Sequence, residues 1–89
     1  MSLSETEIKE LYEFFGSLKS AEVFEKVFID LCTNSEIEAM AQRLKAAKLL
    51  MRGETYEQII AKTDISSATL SRVSKCVKYG TGYKTYIKD

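Results

Sequence analysis

The chain of 89 residues contains no histidine, proline or tryptophan, and only two cysteines and four glycines. Two cysteines far apart cannot form a structural zinc site, because such a site needs four ligands in close clusters. A cysteine nucleophile without histidine lacks its usual base, so we expect no catalytic residues and no enzyme. No apolar run reaches the roughly 18 residues of a membrane span. We therefore expect no metal, cofactor or membrane partner, and the scattered cysteines predict reduced thiols in the cytoplasm.

Acidic and basic residues are unevenly distributed, although the formal net charge is zero. Residues 1–40 carry nine acidic and three basic side chains, whereas residues 41–89 carry four acidic and ten basic ones. From Ser66 to Lys88 there are five basic residues and no acidic one. This asymmetry predicts that the C-terminal half faces a polyanion. A solvated charged surface is the alternative.

Apolar residues recur with helical spacing and never alternate as in a strand, which predicts one all-α domain of about six helices over residues 1–89. A helical pair is expected over residues 5–32, with Ser4 and Glu7 as a capping box and Ser20 as the second cap. Its apolar residues are Ile8, Leu11, Tyr12, Phe15, Leu18, Val23, Phe24, Val27, Phe28 and Leu31. Two short helices cannot bury this much apolar surface on each other, so a partner subunit is expected.

A central helix is predicted over residues 35–53. A capping box of Ser35 and Glu38 would start it, and Gly53 is a natural residue to end it. The apolar stripe of this helix comprises Ile37, Met40, Ala41, Leu44, Leu49 and Leu50.

Residues 55–79 have the pattern of a helix-turn-helix. Thr55 and Gln58 form a third capping box that starts a short helix, and Ser66 caps a second helix that Gly80 ends. Asp64 lies in the turn, where the backbone commonly takes a positive φ that aspartate tolerates. The predicted inward-facing residues are Ile59, Ile60, Ala61, Ile65, Leu70, Val73 and Val77.

Small polar side chains at the start of the second helix can approach base edges in the major groove. The expected DNA-binding residues of this helix are Ser66, Ser67, Ala68, Thr69, Ser71, Arg72 and Lys75. Hydroxyls and the helix N-terminus would set the register on phosphates, whereas positions 67, 68 and 72 would carry sequence preference. Two amphipathic helices joined by a short turn also occur as a purely structural unit, which is the alternative.

Residues 81–89 are predicted to begin a last helix. The spacing of Tyr79, Tyr83, Tyr86 and Ile87 suits packing on the dimer, which we favour. Stacking of the tyrosines on nucleic acid is the alternative.

From Cys32 to Lys78 the sequence resembles the tryptophan-repressor superfamily, and more closely its YerC/YecD-type branch. The residues that carry the resemblance are LCTNSEIEAMAQRLKAAKLLMRGETYEQI and ISSATLSRVSKCVKYG. Within the second stretch, SSATLSRV also resembles the start of recognition helices in repressors of the lactose-repressor type. The resemblance implies an intertwined homodimer that presents two helix-turn-helix units to successive major grooves, about 34 Å apart. It also implies DNA contacts at Gln58 of the first motif helix and at Ser67, Ala68, Thr69 and Ser71 of the second.

Two arginines enclose the bound indole in the tryptophan repressor, and Arg43 and Arg72 match those positions. The glycine that makes room for the ligand is Val73 here, and the serine that meets its amino group is Cys76. A branched side chain in a snug aromatic slot costs about 1–3 kcal/mol. We therefore expect no tryptophan corepressor, and the two arginines are expected to contact phosphates or acidic side chains.

Two functions from different classes follow from these patterns. The first is a sequence-specific transcriptional regulator, a repressor, that binds double-stranded DNA as a homodimer. The second is a helical dimerisation or protein-interaction module without specific DNA readout. The salt dependence of duplex binding separates them, because phosphate contacts release counterions.

Overall fold

The computed structural model describes residues 4–88, and every regular element in that part of the chain is a helix. The six helices are α1 (Glu5–Ser17), α2 (Ala21–Leu31), α3 (Asn34–Met51), α4 (Tyr56–Thr63), α5 (Ser67–Tyr79) and α6 (Gly82–Tyr86). The prediction of an all-α fold with about six helices is confirmed. Residues 1–3 and 89, the ends of the predicted domain, lie outside the described residues.

Four helices begin at the hydroxyl residues that the sequence indicates. Ser4, Ser20, Thr55 and Ser66 each accept a hydrogen bond from the backbone N–H three positions later, at 3.1–3.2 Å. Each bond satisfies one of the N–H groups that a helix start leaves without a partner. These local interactions explain why α1, α2, α4 and α5 begin where they do.

The central helix α3 differs from its predicted bounds. It begins at Asn34, so Ser35 lies inside the helix, and the predicted capping box of Ser35 and Glu38 is wrong. Thr33, Asn34 and Ser35 are all residue types that favour a helix start, so the pattern alone does not single out one of them.

The end of α3 has a defined geometry. Gly53 has a φ of 90°, and its N–H donates to the Leu50 carbonyl oxygen at 3.0 Å. The Glu54 N–H donates to the Leu49 carbonyl oxygen at 3.1 Å. This pair of bonds is the Schellman motif, in which the glycine takes a left-handed conformation. The predicted role of Gly53 is confirmed, although the regular helix ends at Met51.

The described residues divide into two compact units, with the boundary in the chain between Asn34 and Ser35. The first unit contains α1 and α2, and Phe15, Phe24 and Phe28 form its centre with ring centroids 5.5–6.3 Å apart. No residue of either helix is buried. Large apolar side chains remain exposed at Leu11, Phe14, Val23, Ile29 and Leu31. The predicted surplus of apolar surface on this helical pair is confirmed.

The second unit has a small apolar core, and the one polar residue buried in the described part of the chain is Ser74 of α5. The buried members of this core are Ala46, Ala47 and Leu49 of α3, Ile59 of α4, Ile65 of the turn, and Leu70 and Val73 of α5. The prediction that Ala61 is buried is wrong, because this side chain is exposed. Ala41 and Leu44 of the predicted α3 stripe are also exposed. They lie on the opposite side of α3 from Ala46, at 100° per residue.

The C-terminal segment packs on this core through Tyr83 of α6 and through Ile87, which directly follows the helix. Tyr79 and Tyr86 are exposed in the single chain, and the packing of this tyrosine group on a dimer stays a prediction. None of the described helices has the length and apolar character needed to cross a membrane. Among residues 4–88, no three or more acidic or cysteine side chains form a group that could hold a metal ion.

Candidate nucleic-acid interface

The turn between α4 and α5 is short and has one left-handed residue. Asp64 has φ and ψ of 59° and 17°, and its N–H donates to the Ile60 carbonyl oxygen at 2.9 Å. Ile65 follows and is only 2% exposed, inserted into the core of the second unit. Both predictions for this turn are confirmed. Aspartate tolerates the left-handed region better than most residues, so the turn forms without glycine.

A hydrogen bond from α3 fixes the end of α4. The Gln42 side chain donates through Nε2 to the Thr63 carbonyl oxygen at 2.9 Å. The Thr63 hydroxyl donates to the Ile59 carbonyl oxygen at 2.7 Å and accepts the Ile65 N–H at 3.3 Å. The last carbonyls of a helix lack internal partners, so Gln42 satisfies a group that the fold leaves open. Sequence reasoning missed Gln42, because no local pattern indicates a partner 21 positions away.

Gln58 closes a reciprocal capping box at the start of α4. The Thr55 N–H donates to Gln58 Oε1 at 2.9 Å, and the Gln58 N–H donates to Thr55 Oγ1 at 3.2 Å. Because a backbone N–H needs an acceptor, this bond fixes which end of the amide is oxygen. The Gln58 Nε2 group makes no hydrogen bond within the described residues, so both of its N–H donors remain available. Gln58 is exposed and therefore presents donors to solvent.

The hydroxyl residues at the start of α5 divide into two kinds. The Ser66 hydroxyl accepts the Thr69 N–H at 3.1 Å and bonds to the Thr69 hydroxyl at 2.9 Å. These two side chains are occupied in starting the helix. Ser67 and Ser71 are exposed and make no side-chain hydrogen bond among the described residues. Their hydroxyls remain free to meet a ligand.

The outer face of α5 is polar and basic. Ala68, Arg72, Lys75 and Tyr79 are spaced by four, three and four residues, which places them on one side of the helix. All four are exposed. The opposite side carries the buried residues Leu70, Val73 and Ser74 and the partly buried Val77. The structure thus separates a core face of α5 from an exposed free face. Five of the eight predicted DNA-binding residues are exposed on this free face, namely Ser67, Ala68, Ser71, Arg72 and Lys75.

The four positions matched to the tryptophan pocket have different environments. Arg43 of α3 is partly buried, and Arg72 of α5 is exposed. Val73 is 2% exposed and belongs to the core of the second unit. Cys76 is exposed, and like the partly buried Cys32 it is a free cysteine.

Comparison with known proteins assigns the family. The model of the Trp repressor protein family matches residues 6–89. The chain belongs to the Trp repressor family. It is 45% identical over 74 residues to the uncharacterized protein YerC of Bacillus subtilis (strain 168), a match that covers 83% of this chain and 71% of YerC. The resemblance inferred from the sequence, including its YerC-type branch, is confirmed.

Solved structures support the same assignment. A candidate Trp repressor from Staphylococcus aureus superimposes with a TM-score of 0.85 at 34% identity, over 91% of this chain and 82% of that chain. A TrpR-like protein from Eubacterium eligens ATCC 27750 superimposes with a TM-score of 0.85 at 37% identity, over 92% of this chain and 86% of that chain. The fold of this chain is therefore that of Trp repressor-like proteins.

Proposed function

We propose that this protein is a sequence-specific DNA-binding transcriptional regulator, a repressor that acts as a homodimer in the cytoplasm. Membership of the Trp repressor family supports a DNA-binding regulator as the class of function. The protein would act by binding rather than by catalysis, because a chain without histidine offers its cysteines no usual base.

The free face at the start of α5 is the observation that carries this proposal. Ser67, Ala68 and Ser71 are small and exposed, so the helix backbone can come close to base edges in a major groove. The Ser67 and Ser71 hydroxyls can donate or accept and can therefore meet either kind of base-edge group. Ser66 and Thr69, whose hydroxyls start the helix, would hold α5 in register on the sugar-phosphate backbone of the DNA.

Basic side chains further along α5 would provide affinity for DNA without sequence preference. Arg72 and Lys75 are exposed on the same side as Ala68, and neither has an ion-pair partner within residues 4–88. No acidic residue lies between Ser66 and Lys88 to repel phosphates. The Gln58 Nε2 donors suit a phosphate oxygen, which only accepts hydrogen bonds.

A homodimer accounts for the exposed apolar surface of the first unit. Phe14 is 48% exposed and Leu31 is 52% exposed, although both are large apolar side chains. On α3, Ala41 and Leu44 are exposed beside Lys45. The apolar and acidic α1–α2 pair of one copy would complement the apolar and basic face of α3 in the other. Burial of such faces between two copies would stabilise a chain whose own core is small.

Tryptophan is not proposed as a corepressor. Val73 stands where the tryptophan repressor has the glycine that makes room for the indole, and this valine is packed in the core. A ligand entering beside it would have to displace packed atoms, which is costly because protein interiors are dense.

Selection of genomic DNA fragments by the purified full chain tests the proposal. We expect enrichment of a common sequence over random DNA, and a steep loss of affinity with salt, near −0.9 in the logarithmic slope for each phosphate contact. The double variant Arg72→Gln, Lys75→Gln should bind every duplex more weakly and with a shallower slope. Absence of enrichment, together with a stable dimer, would instead support a protein-interaction module.

A further inference from the structure

The C-terminal end of α5 carries exposed groups beyond the residues that the proposed function uses. Tyr79, the last residue of α5, is 81% exposed, and the adjacent Lys78 is exposed as well. In α6, Lys84 Nζ donates to the Lys78 carbonyl oxygen at 3.1 Å. This bond places a second ammonium group at the same helix end. We refer to Lys78, Tyr79 and Lys84 as the C-terminal strip.

The C-terminal strip continues the free face of α5. Tyr79 lies four residues after Lys75 and seven after Arg72, on the same side of the helix. A helix rises 1.5 Å per residue, so Tyr79 is about 16 Å along the axis from Ala68. The major groove is about 12 Å wide. If Ala68 meets base edges, the end of α5 extends past the groove, to the level of the phosphate backbone.

The chemistry of the C-terminal strip suits phosphate. Lys84 has an ordinary structural role, because a cation at a helix C-terminus interacts favourably with the helix dipole. The bond to the Lys78 carbonyl uses one of the three N–H donors of the Lys84 ammonium group and leaves two of them. Lys78 and the Tyr79 hydroxyl add further donors, and no acidic residue lies between Ser66 and Lys88. The strip therefore offers positive charge and several hydrogen-bond donors on one exposed helix end.

We propose, building on the proposed function, that the C-terminal strip binds phosphate groups of the same DNA duplex, outside the segment read by the start of α5. Such contacts position the protein and add affinity, but carry no sequence information. They lengthen the footprint of each subunit and make binding more dependent on salt.

Variants of the full chain test this inference on two duplexes, one enriched by the genomic selection and one of shuffled sequence. For Tyr79→Ala, and for the double variant Lys78→Gln, Lys84→Gln, we expect Kd to rise about threefold to tenfold on both duplexes. In the lysine variant the logarithmic salt slope should become shallower by about 0.9 for each phosphate group that the protein no longer binds. Tyr79→Phe removes the hydroxyl and keeps the ring, so comparing its Kd with that of Tyr79→Ala separates the contributions of the two groups. Lys9→Gln removes one charge from an exposed position of α1 and should leave binding unchanged.

The outcomes distinguish the two proposals. In one outcome the wild type prefers the enriched duplex, and the strip variants have the same Kd and salt slope as the wild type. This outcome overturns the inference and leaves the proposed function standing. A change of oligomeric state in Tyr79→Ala would overturn the inference too, because it would make the strip a protein contact. A wild type that binds both duplexes equally contradicts the sequence-specific function alone. A wild type that binds neither overturns both.

Discussion

Gln58 accepts the backbone N–H of Thr55 through its amide oxygen at 2.9 Å, so this side chain starts α4 and presents only N–H donors outward. The two roles are separable by substitution. Glutamate at this position can still accept the Thr55 N–H, and a negative charge is favourable at a helix N-terminus. It has no N–H donor and would repel phosphate.

The first prediction follows from this separation. Gln58→Glu should keep the stability of the wild type but bind DNA more weakly, whereas Gln58→Ala should lose about 0.5–1.5 kcal/mol of unfolding free energy with the capping bond. Urea denaturation and fluorescence anisotropy with the enriched duplex measure the two effects. Equal stability of Gln58→Ala and wild type, or unchanged DNA affinity of Gln58→Glu, would contradict this account.

The second prediction concerns the Gln42–Thr63 hydrogen bond, which ties α3 to the end of α4. Gln42→Leu leaves the Thr63 carbonyl without this donor and should destabilise the protein by about 1 kcal/mol. Gln42→Glu places an acceptor against the carbonyl and should cost at least as much. Because the bond holds α4 next to the turn, both variants should also bind DNA more weakly under conditions where they remain folded. Wild-type affinity in a folded Gln42→Leu would show that the bond does not position the motif.

The third prediction concerns the homodimer. Leu31 is a large exposed apolar residue of α2, and a charge there would have to be buried in an interface. Leu31→Glu should shift the chain towards monomer and raise the dimer Kd by about tenfold or more. Sedimentation velocity over a range of concentrations measures this shift. Lys19→Glu, which adds a glutamate at an exposed position between α1 and α2, is the control. Equal sedimentation of Leu31→Glu and wild type would place the interface elsewhere.

The fourth prediction concerns tryptophan. A ligand that binds only the folded state at a hundred times its Kd stabilises it by about 2.7 kcal/mol. Millimolar tryptophan should therefore leave Tm and DNA affinity unchanged, as should leucine, which controls for general amino-acid effects. A rise of Tm or of DNA affinity with tryptophan alone would mean that Val73 yields space for the indole.

The helix-turn-helix was predictable from the sequence because its determinants are local. Thr55 and Ser66 act on N–H groups three positions away, and Asp64 takes the conformation that its residue type tolerates. The Gln42–Thr63 bond was not predictable, because it joins residues 21 positions apart whose meeting depends on packing.

The inner face of α3 shows a second limit. This helix has apolar residues on two sides, so periodicity does not tell Ala46, which is buried in the core, from Ala41, which is exposed. A third limit concerns which of the predicted DNA-binding hydroxyls are free and which are hydrogen-bonded within the protein. Ser67 and Thr69 look alike in sequence, and only the hydrogen bonds show that Ser67 is free while Thr69 is bonded to the cap residue Ser66.

The most direct test of the central claim, that the start of α5 reads base edges, is a pair of parallel DNA selections with the wild type and with Ser67→Asn. Asparagine can bond adenine through one donor and one acceptor, which a serine hydroxyl cannot match. We predict that both proteins enrich related sequences and that preferences differ at one position of each half-site, with the rest unchanged. Absence of enrichment by the wild type, or identical preferences of the two proteins, would contradict the account.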